Sequence, residues 1–319
     1  MLDYWKATSL GSAMRILVLG GLGMIGHQIY STLSQEFNQI KVCIRKSASS
    51  TLKYGIFNPN HIIDNIDLLH QPSLEMALKN VNPDIVINCS GSTLAKTKNL
   101  SASDIIELNA LFPQRLYEWC QSHSAYLIQF SNDEIFAGGT HPYDENSLPD
   151  SRTIYGRAKA LGEINGPQCL TIRSSFLGLE LENPTELFSN LLLNPTQTVA
   201  VSRNDFYCGV STNYLASFVT DFIRKQLPFS GLYQIASHPI SEFDLLHLLN
   251  RQFEWNLNIA EIPGGTHPSK ILSNQKIIQA WHRPPPRWPE MAYELFKSME
   301  QYSSFLPITT KDNPNKTAA

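Results

Sequence analysis

Short apolar segments alternate along the first half of the chain with segments whose apolar residues recur at helical spacing. Strands that are apolar throughout and separated by helices are typical of a parallel sheet covered on both faces. Right-handed crossovers between such strands predict a doubly wound α/β fold. The predicted strands are residues 15–20, 41–45, 61–64, 84–89, 125–130 and 169–173, and the predicted helices are 24–36, 72–80, 102–122 and 154–164.

The second half of the chain has a less regular pattern. It predicts helices at 185–193, 212–226, 241–252 and 289–300, strands at 198–202 and 231–236, and a proline-rich turn at 282–289. We expect a sheet domain at 14–175, which also receives about 201–236, and a smaller mixed α/β substrate-binding lobe from 176–200 and 237–306. Residues 1–13 are predicted to be an N-terminal extension, and 307–319 a disordered tail.

The composition is consistent with the predicted fold and argues against several classes of function. The 319 residues are 42% hydrophobic, which supplies a sizeable core, and the net charge of −3 argues against general nucleic-acid or membrane-surface binding. No apolar run approaches the roughly 20 residues that span a bilayer, and the N-terminus lacks the apolar region of a secretory signal. The five cysteines and nine histidines do not cluster, so we expect reduced thiols, no metal site and a cytoplasmic location.

Glycines mark the turn between the first predicted strand and the first predicted helix, in the sequence GGLGMIG at 20–26. The spacing G-x-x-G-x-x-G permits a tight turn and lets backbone N–H groups approach a pyrophosphate at the start of the helix. The alternative is a tight turn without a ligand. We predict a dinucleotide-binding Rossmann domain in which the pyrophosphate contacts lie at Gly20, Gly23, Met24, Ile25 and Gly26.

The end of the second predicted strand indicates which dinucleotide binds. Proteins that bind NAD place Asp or Glu there, whereas this chain has Arg45 and Lys46. A cationic pair suits a 2′-phosphate, so NADPH is predicted and NADH is less favoured. A solvated pair of charges is the alternative. Asp67 and Leu68, after the third strand, are expected to border the adenine, although Asp67 could equally cap a helix.

A phenol and an ammonium lie one helical turn apart in the sequence YGRAK, at Tyr155 and Lys159. Residues four apart share a helix face. A cation beside a phenol lowers the phenol pKa, which would make Tyr155 a proton donor usable near neutral pH.

Taken together, several motifs resemble the extended short-chain dehydrogenase/reductases. They are the glycine loop, NCSG at 88–91, FSNDEIF at 130–136, YGRAKALGE at 155–163 and TIRSS at 171–175. Later segments such as GVSTNYLA at 209–216 make residues 14–300 most similar to the dTDP-4-dehydrorhamnose reductase family. The resemblance implies an oxidoreductase of deoxysugar biosynthesis that uses NADPH to reduce a 4-keto nucleotide-linked deoxysugar. It also places Ser90 and Gly91 among the residues that bind the cofactor.

The resemblance implies catalytic roles for three residues. Tyr155 would protonate the ketone oxygen while the nicotinamide delivers a hydride, and Lys159 would bind the nicotinamide ribose. The family's third residue is Thr or Ser, but this chain has Asn132. An amide can donate to a developing oxyanion, yet it has no hydroxyl to relay a proton. Asn132 therefore either substitutes adequately, gives a slow enzyme, or marks a chain that kept cofactor binding and lost catalysis.

Two other functions remain open at this stage. One is a non-catalytic NADP-binding regulatory subunit, a role that the β subunit of methionine adenosyltransferase has in this superfamily branch. The other is a nucleotide-sugar epimerase or dehydratase, because Asp133 and Glu134 match the acid–base pair of the dehydratases. The short interval from Asn132 to Tyr155 favours the reductases.

Residues on the substrate side are less well defined by the sequence. Asn109 is expected to support the active-site helix, and Phe176 to line the nicotinamide pocket. The candidates for binding nucleotide-sugar phosphates are Arg203, Arg251, Lys276 and Arg283, and the candidates for stacking on a base are Phe206, Tyr207, Trp255 and Trp281. Relatives of this kind are often dimers, so a homodimer is possible.

Overall fold

The computed structural model describes residues 14–303 and 305–306. The predicted extension at 1–13 and the predicted tail at 307–319 lie outside these residues. The described strands are β1 (Ile16–Leu19), β2 (Ile40–Cys43), β3 (Ile62–Ile63), β4 (Ile85–Asn88), β5 (Tyr126–Ser131), β6 (Cys169–Arg173), β7 (Phe176–Leu177), β8 (Thr198–Val201), β9 (Phe206–Tyr207), β10 (Val210–Ser211), β11 (Gly231–Gln234), β12 (Ile240–Ser241) and β13 (Asn258–Glu261).

Helices connect most of the longer strands. They are α1 (Met24–Leu33), α2 (Gln71–Val81), α3 (Ala102–Ile106), α4 (Phe112–Ser122), α5 (Ile154–Leu161), α6 (Leu187–Leu193), α7 (Thr212–Arg224), α8 (Glu242–Gln252), α9 (Gln275–Trp281) and α10 (Trp288–Ser298). A π-helical turn, Glu107–Leu111, joins α3 to α4.

Seven parallel strands form the central sheet in the order β11–β6–β5–β4–β1–β2–β3. Strand β1 has β2 on one side and β4 on the other, so the direction of winding reverses beside it. Ligands of such sheets bind at the carboxyl ends of the strands, at this point of reversal. The predicted doubly wound fold is confirmed.

Apolar layers cover both faces of the sheet, which explains why its strands are mostly apolar. In β1, Ile16 and Val18 pack on the side of α1, α7 and α10, whereas Leu17 and Leu19 pack on the side of α2 and α4. Alternate side chains of a strand point to opposite faces, so both sets must be apolar when both faces are buried. Helices α1 and α7 pack against each other, and β11 joins the sheet beside β6.

Several element predictions need correction. The third strand has only two residues, and the helix predicted at 102–122 is interrupted by the π-helical turn. Pro113, at the start of α4, lacks the N–H that a continuous helix would use there. Helix α9 and strand β13 were not predicted. Four two-residue strands were also not predicted, because a segment of two residues has no measurable periodicity.

All five cysteines are free, and Cys43, Cys120, Cys169 and Cys208 are buried. Burial raises the pKa of the Cys43 thiol to about 12, so this thiol is unreactive near neutral pH. Within the described chain, every helix is too short or too polar to cross a lipid bilayer.

Candidate active site

A cavity of about 480 Å³ opens at the carboxyl ends of β1, β4 and β5. This volume is within the range of small-molecule and cofactor sites. Its walls come from the glycine loop, the loop after β4, the end of β5, helix α5 and the segment after β6. Predicted site residues on these walls are Gly23, Met24, Ile25, Ser90, Gly91, Asn132, Tyr155, Lys159 and Phe176.

The glycine loop forms a tight cradle between β1 and α1. Gly20 has φ +77°, and a Cβ atom there would lie 2.9 Å from the backbone nitrogen of Ser90. A Cβ atom on Gly26 would overlap the carbonyl oxygen of Gly20. Gly23 begins α1, and no side chain caps this helix terminus. The backbone N–H groups of the first turn therefore point toward the cavity, an arrangement that fits a pyrophosphate.

Two further predicted cofactor residues follow β4. The Ser90 hydroxyl donates to Asn88 Oδ1, which fixes the start of the loop. Gly91 has φ +152°, and a Cβ atom there would lie 3.5 Å from Asn109 Oδ1 and 3.9 Å from Lys159 Nζ. A larger residue at 91 would thus intrude beside the amine of Lys159.

The three predicted catalytic residues meet in the cavity. Thr153 caps α5 by accepting a hydrogen bond from the Gly156 backbone at 3.0 Å, which sets the position of Tyr155. Asn132 Nδ2 donates to the Tyr155 hydroxyl oxygen at 2.8 Å. Lys159 Nζ donates to the carbonyl oxygen of Phe130 at 2.9 Å. Tyr155 is only 3% exposed.

Burial dominates the electrostatics of these groups. It raises the pKa of the Tyr155 hydroxyl, against the lowering effect of the hydrogen bond from Asn132. The net direction is opposite to the lowering that the YGRAK motif suggested, because desolvation outweighs the stabilisation of the phenolate. Burial also lowers the pKa of Lys159 to about 8.

Carboxylates form the far side of the cavity. Burial raises the pKa of Asp133 to about 6, although the cation of Lys270 opposes the shift. Glu134 forms an ion pair with Lys270 at 2.6 Å, and Glu180 forms one with Lys96 at 2.6 Å. Glu180, Lys96 and Lys270 were not predicted, because no sequence motif connects segments so far apart in the chain.

Asn109 lies in the π-helical turn behind the cavity. Its Nδ2 atom donates to the carbonyl oxygen of Ile105 at 2.9 Å and to Ser92 Oγ at 3.3 Å. Its backbone carbonyl lies so close to Gly162 that a Cβ atom at that glycine would overlap it. These contacts join the turn to the end of α5, in agreement with a structural role for Asn109.

Four residues predicted to bind the adenosine half lie outside this cavity. Arg45 and Lys46 are exposed at the end of β2, and Lys46 pairs with Glu182 at 2.7 Å. Asp67 Oδ1 accepts a hydrogen bond from the backbone of Leu69 at 3.0 Å, so Asp67 holds the turn before α2. Leu68 packs against the core between the sheet and α2.

The cations predicted to bind substrate phosphates do not line the cavity and have other contacts. Arg203 pairs with Asp244 and Glu261, Lys276 donates to the carbonyl oxygen of Leu232, and Arg283 pairs with Asp221. Arg251 lines a separate surface groove along α8. The lysines that do line the cavity are Lys96, Lys98 and Lys159.

The aromatic candidates are also dispersed. Trp281 packs edge-on against Phe218, Trp255 stacks on Phe253, and Phe206 is 43% exposed. Tyr207 packs beside Trp288. None of these four lines the cavity, so the stacking of one of them on a base stays a prediction.

Among the described residues, one group of possible metal ligands lies away from the cavity, and it contains a single histidine and no cysteine. Atoms of Asp205, Glu242 and His267 lie within 4.8 Å of one another. Asp205 already accepts hydrogen bonds from the backbone and hydroxyl of Thr266, and His267 lies 3.2 Å from Glu242. These contacts suffice to explain the group as a clamp between two loops.

Known proteins of similar sequence fall into two functional groups. Methionine adenosyltransferase 2 subunit beta from Xenopus tropicalis is 22% identical over 194 residues, which are 60% of this chain and 55% of that protein. A dTDP-4-dehydrorhamnose reductase from Streptomyces griseus is 27% identical over 150 residues, 47% of this chain and 43% of that protein. The chain thus spans about half the length of the curated relatives it matches.

The fold is similar to that of a dTDP-4-dehydrorhamnose reductase from Bacillus anthracis strain Ames, solved in complex with NADP. The TM-score is 0.71 at 16% identity, over 89% of this chain and 99% of that one. A UDP-N-acetylglucosamine 4-epimerase from Methanobrevibacter ruminantium gives a TM-score of 0.72 at 16% identity, over 90% and 98%. Residues 14–300 match the family model described as the RmlD substrate binding domain. The chain therefore belongs to the RmlD substrate binding domain family, as its resemblance to the dTDP-4-dehydrorhamnose reductases predicted.

Proposed function

We propose that this protein is an NADPH-dependent reductase of a 4-keto nucleotide-linked deoxysugar. The observation that carries the proposal is the hydrogen bond of 2.8 Å from Asn132 to the Tyr155 hydroxyl, inside a cavity that the glycine loop also lines. A proton donor and an amide donor thereby face the position that a dinucleotide in the cradle would reach. The family membership and the NADP-bound structural relative support the same function.

The residues of this chain fit the proposed cofactor. The uncapped start of α1 and the close approach of Gly20 and Gly26 suit a pyrophosphate. Arg45, exposed at the end of β2, would meet a 2′-phosphate. When bound, NADPH supplies a hydride to the carbonyl carbon of the substrate.

The chain's own part in the reaction is to hold and move one proton. The Tyr155 hydroxyl donates its proton to the carbonyl oxygen, and the raised pKa keeps that hydroxyl protonated at neutral pH. Asn132 Nδ2 then stabilises the tyrosine oxygen that has lost its proton, since it already donates to that atom. Lys159, fixed on the carbonyl of Phe130, would bind the nicotinamide ribose and add positive charge.

We infer that the substrate lies between the cavity and the lobe of residues 176–200 and 237–306. The cofactor half would then be 14–175 with about 201–236. Lys98, which lines the cavity, replaces the four cations predicted from the sequence as the candidate for holding the substrate's phosphates, because Lys96 is paired with Glu180.

A non-catalytic NADP-binding regulatory subunit is the second candidate. The similarity to methionine adenosyltransferase 2 subunit beta favours it, and so does the absence of a hydroxyl at Asn132. An epimerase or dehydratase has less support, because Lys270 engages Glu134, one of the two carboxylates that would act as acid and base. That function would leave tightly retained NAD⁺ and no net use of NADPH.

The test mixes the protein, NADPH and a panel of 4-keto sugar nucleotides, and follows the absorbance of the reduced nicotinamide. We expect turnover that falls at least about a hundredfold in Tyr155→Phe, the usual effect of losing a general acid. The matched control is Tyr293→Phe, because Tyr293 lies on α10 and is 50% exposed. Full activity in Tyr155→Phe would refute the mechanism, whereas tight NADPH binding without turnover of any ketone would favour the regulatory subunit.

A further inference from the structure

A strap, defined as residues 178–186, follows β7. Glu180 and Glu186 of the strap line the same cavity as Gly23 and Met24 of the glycine loop. Leu179 and Leu181 are each 3% exposed and anchor the strap in the core. The strap is therefore a fixed wall of the cavity.

One end of the strap is attached to the loop after β4. The Glu180 side chain is 1% exposed and pairs with Lys96 at 2.6 Å. The same carboxylate accepts hydrogen bonds from the backbone of Glu186 at 2.8 Å and from that of Thr185. With so many donors, this attachment is part of the permanent structure of the loop.

The other attachment is on the opposite side of the glycine loop, near the end of β2. Glu182 pairs with Lys46 at 2.7 Å, and its side chain is 20% exposed against 50% for Lys46. The Tyr54 hydroxyl donates to the same carboxylate at 3.2 Å. Because β1 lies between β2 and β4 in the sheet, a strap held at both Lys46 and Lys96 crosses above the glycine loop.

We propose that Glu182 competes with the cofactor's 2′-phosphate for Lys46. Glu182 would thus set how strongly the protein prefers NADPH to NADH, and phosphate binding would release the Glu182 side chain from Lys46. The inference rests on the proposed cofactor and concerns a residue that the sequence did not suggest. Arg45 has no salt bridge among the described residues, so it is available to the phosphate while Lys46 is held by Glu182.

Charge explains why the two ligands of Lys46 exclude each other. A phosphate monoester carries about −1.5 to −2 charges at pH 7. Placed beside Lys46, it would repel the Glu182 carboxylate and offer the ammonium a stronger partner. A dinucleotide without this phosphate leaves the pair of Lys46 and Glu182 intact. The strap should therefore respond to the phosphate and not to the dinucleotide as such.

The first experiment measures the binding of NADP⁺ and NAD⁺ by calorimetry to the parent protein and to Glu182→Gln. We expect NADP⁺ to bind about fivefold more tightly to the variant, the order of one partly exposed ion pair. The affinity for NAD⁺ should stay within about twofold. The control is Glu75→Gln, which removes the carboxylate of a similar lysine pair on α2. Equal changes for both dinucleotides, or no change, would overturn the inference.

A double-mutant cycle with Lys46→Ala then tests the competition itself. If Glu182 acts by occupying Lys46, Glu182→Gln should have little effect on NADP⁺ affinity once Lys46 is gone. An undiminished effect would overturn the competition. In the parent protein, amide hydrogen exchange at Glu182 and Asn183 should be faster with saturating NADP⁺ than with saturating NAD⁺.

These measurements use no ketone substrate, so their outcome is separate from that of the turnover assay. Binding that follows the expected pattern would stand even if the protein reduced nothing. If the protein showed NADPH-dependent turnover but Glu182→Gln left the preference for NADP⁺ over NAD⁺ unchanged, this inference would fall and the proposed reductase function would stand. If neither dinucleotide bound, both proposals would fall.

Discussion

Asn132 uses only half of its amide in the described structure. Its Nδ2 atom donates to Tyr155, whereas Oδ1 is buried and has no hydrogen-bond partner among the described residues. A buried polar atom without a partner costs free energy, so such atoms are found where a ligand or water completes the contact. This amide therefore leaves a buried acceptor without a partner among the described residues, where a Thr hydroxyl would offer both a donor and an acceptor.

Substitutions of Asn132 separate donation from proton relay. We expect Asn132→Ala to lower kcat about a hundredfold or more, the size of one lost oxyanion donor. Asn132→Thr should keep a similar rate or raise it, since a hydroxyl can donate in the same way. Single-turnover rates with NADPH would check both. A fall below about a hundredth of the parent rate in Asn132→Thr would show that the amide itself is required.

Asp133 is a second unusual residue, because its carboxylate is charged in a poorly solvated place. Its pKa is raised from 3.8 to about 6, chiefly by burial. The folded state therefore binds a proton more tightly than the unfolded state. The resulting cost to stability is absent below about pH 4, grows as the pH rises through 6, and is complete above it.

We predict that Asp133→Asn raises the free energy of unfolding by about 2 kcal/mol at pH 7. The shift of about two pKa units corresponds to about 3 kcal/mol, and the partial exposure of Asp133 reduces this value. The gain should shrink as the pH is lowered from 6 towards 4, where the parent carboxylate is protonated in both states. Urea denaturation at several pH values measures it. A gain that did not vary with pH would exclude the titration of Asp133 as its cause.

At the scale of elements, the junction of β1 and α1 contains two glycines, Gly23 and Gly26, that differ in the space around them. Gly26 leaves no room for a Cβ atom beside the carbonyl of Gly20. Gly23 differs, because its φ is −72° and a Cβ atom added there would lie 3.3 Å from its nearest neighbour, the carbonyl oxygen of Gly20. Substitution of Gly26 therefore tests the packing of the turn, whereas substitution of Gly23 tests its surface toward the cavity.

We predict that Gly26→Ala lowers the free energy of unfolding by about 2 kcal/mol, a typical cost of overpacking. Gly23→Ala should cost less than about 1 kcal/mol yet weaken NADPH binding, since its methyl group would lie at the mouth of the cradle. Thermal unfolding and NADPH titration distinguish the two outcomes. Equal loss of stability in both variants would contradict the difference in packing.

Elements with a long and regular pattern could be predicted from the sequence. The mostly apolar strands β1, β4 and β5 and the amphipathic helices α7 and α10 each have a clear hydrophobic pattern. The position of the π-helical turn could not be predicted from the local signal of Pro113 alone, because it also depends on the tertiary contact of the Asn109 carbonyl with Gly162. The short strand β13 could not be predicted either, since it forms by pairing with the distant β8.

At the scale of the whole molecule, a buried ion pair joins the sheet to the segment after α5. Arg173, at the end of β6, donates to both carboxylate oxygens of Glu163, at 2.8 and 2.7 Å. The side chains are 2% and 10% exposed. Arg173 also donates to the carbonyl of Asp144 at 3.3 Å and lies over the ring of Phe136, so one guanidinium holds three segments.

We predict that Glu163→Leu costs about 3–5 kcal/mol of unfolding free energy, because it leaves the Arg173 charge buried without its partner. The double variant Glu163→Leu with Arg173→Met should recover much of this loss, since no buried charge remains. Chemical denaturation of the three proteins gives the comparison. A double variant no more stable than the single one would show that the pair itself, rather than the unpaired charge, matters.

The predictability of the site follows the distance along the chain between its parts. Tyr155 and Lys159 lie one helix turn apart, and Asn132 directly follows strand β5. A sequence motif and the helical period are therefore enough to identify these residues as site candidates. The pairs of Glu180 with Lys96 and of Glu182 with Lys46 join segments far apart in sequence. Such contacts depend on the order of the strands, which no local pattern of charges contains.

The edge strand β11 reaches the sheet only after the chain has left it and formed β7, α6 and β8 on the way. A gene truncated near residue 200 would encode a sheet lacking β11 and also lacking α7, the helix that packs on α1. A fragment that keeps the whole seven-stranded sheet around the glycine loop therefore has to extend through residue 234, where β11 ends.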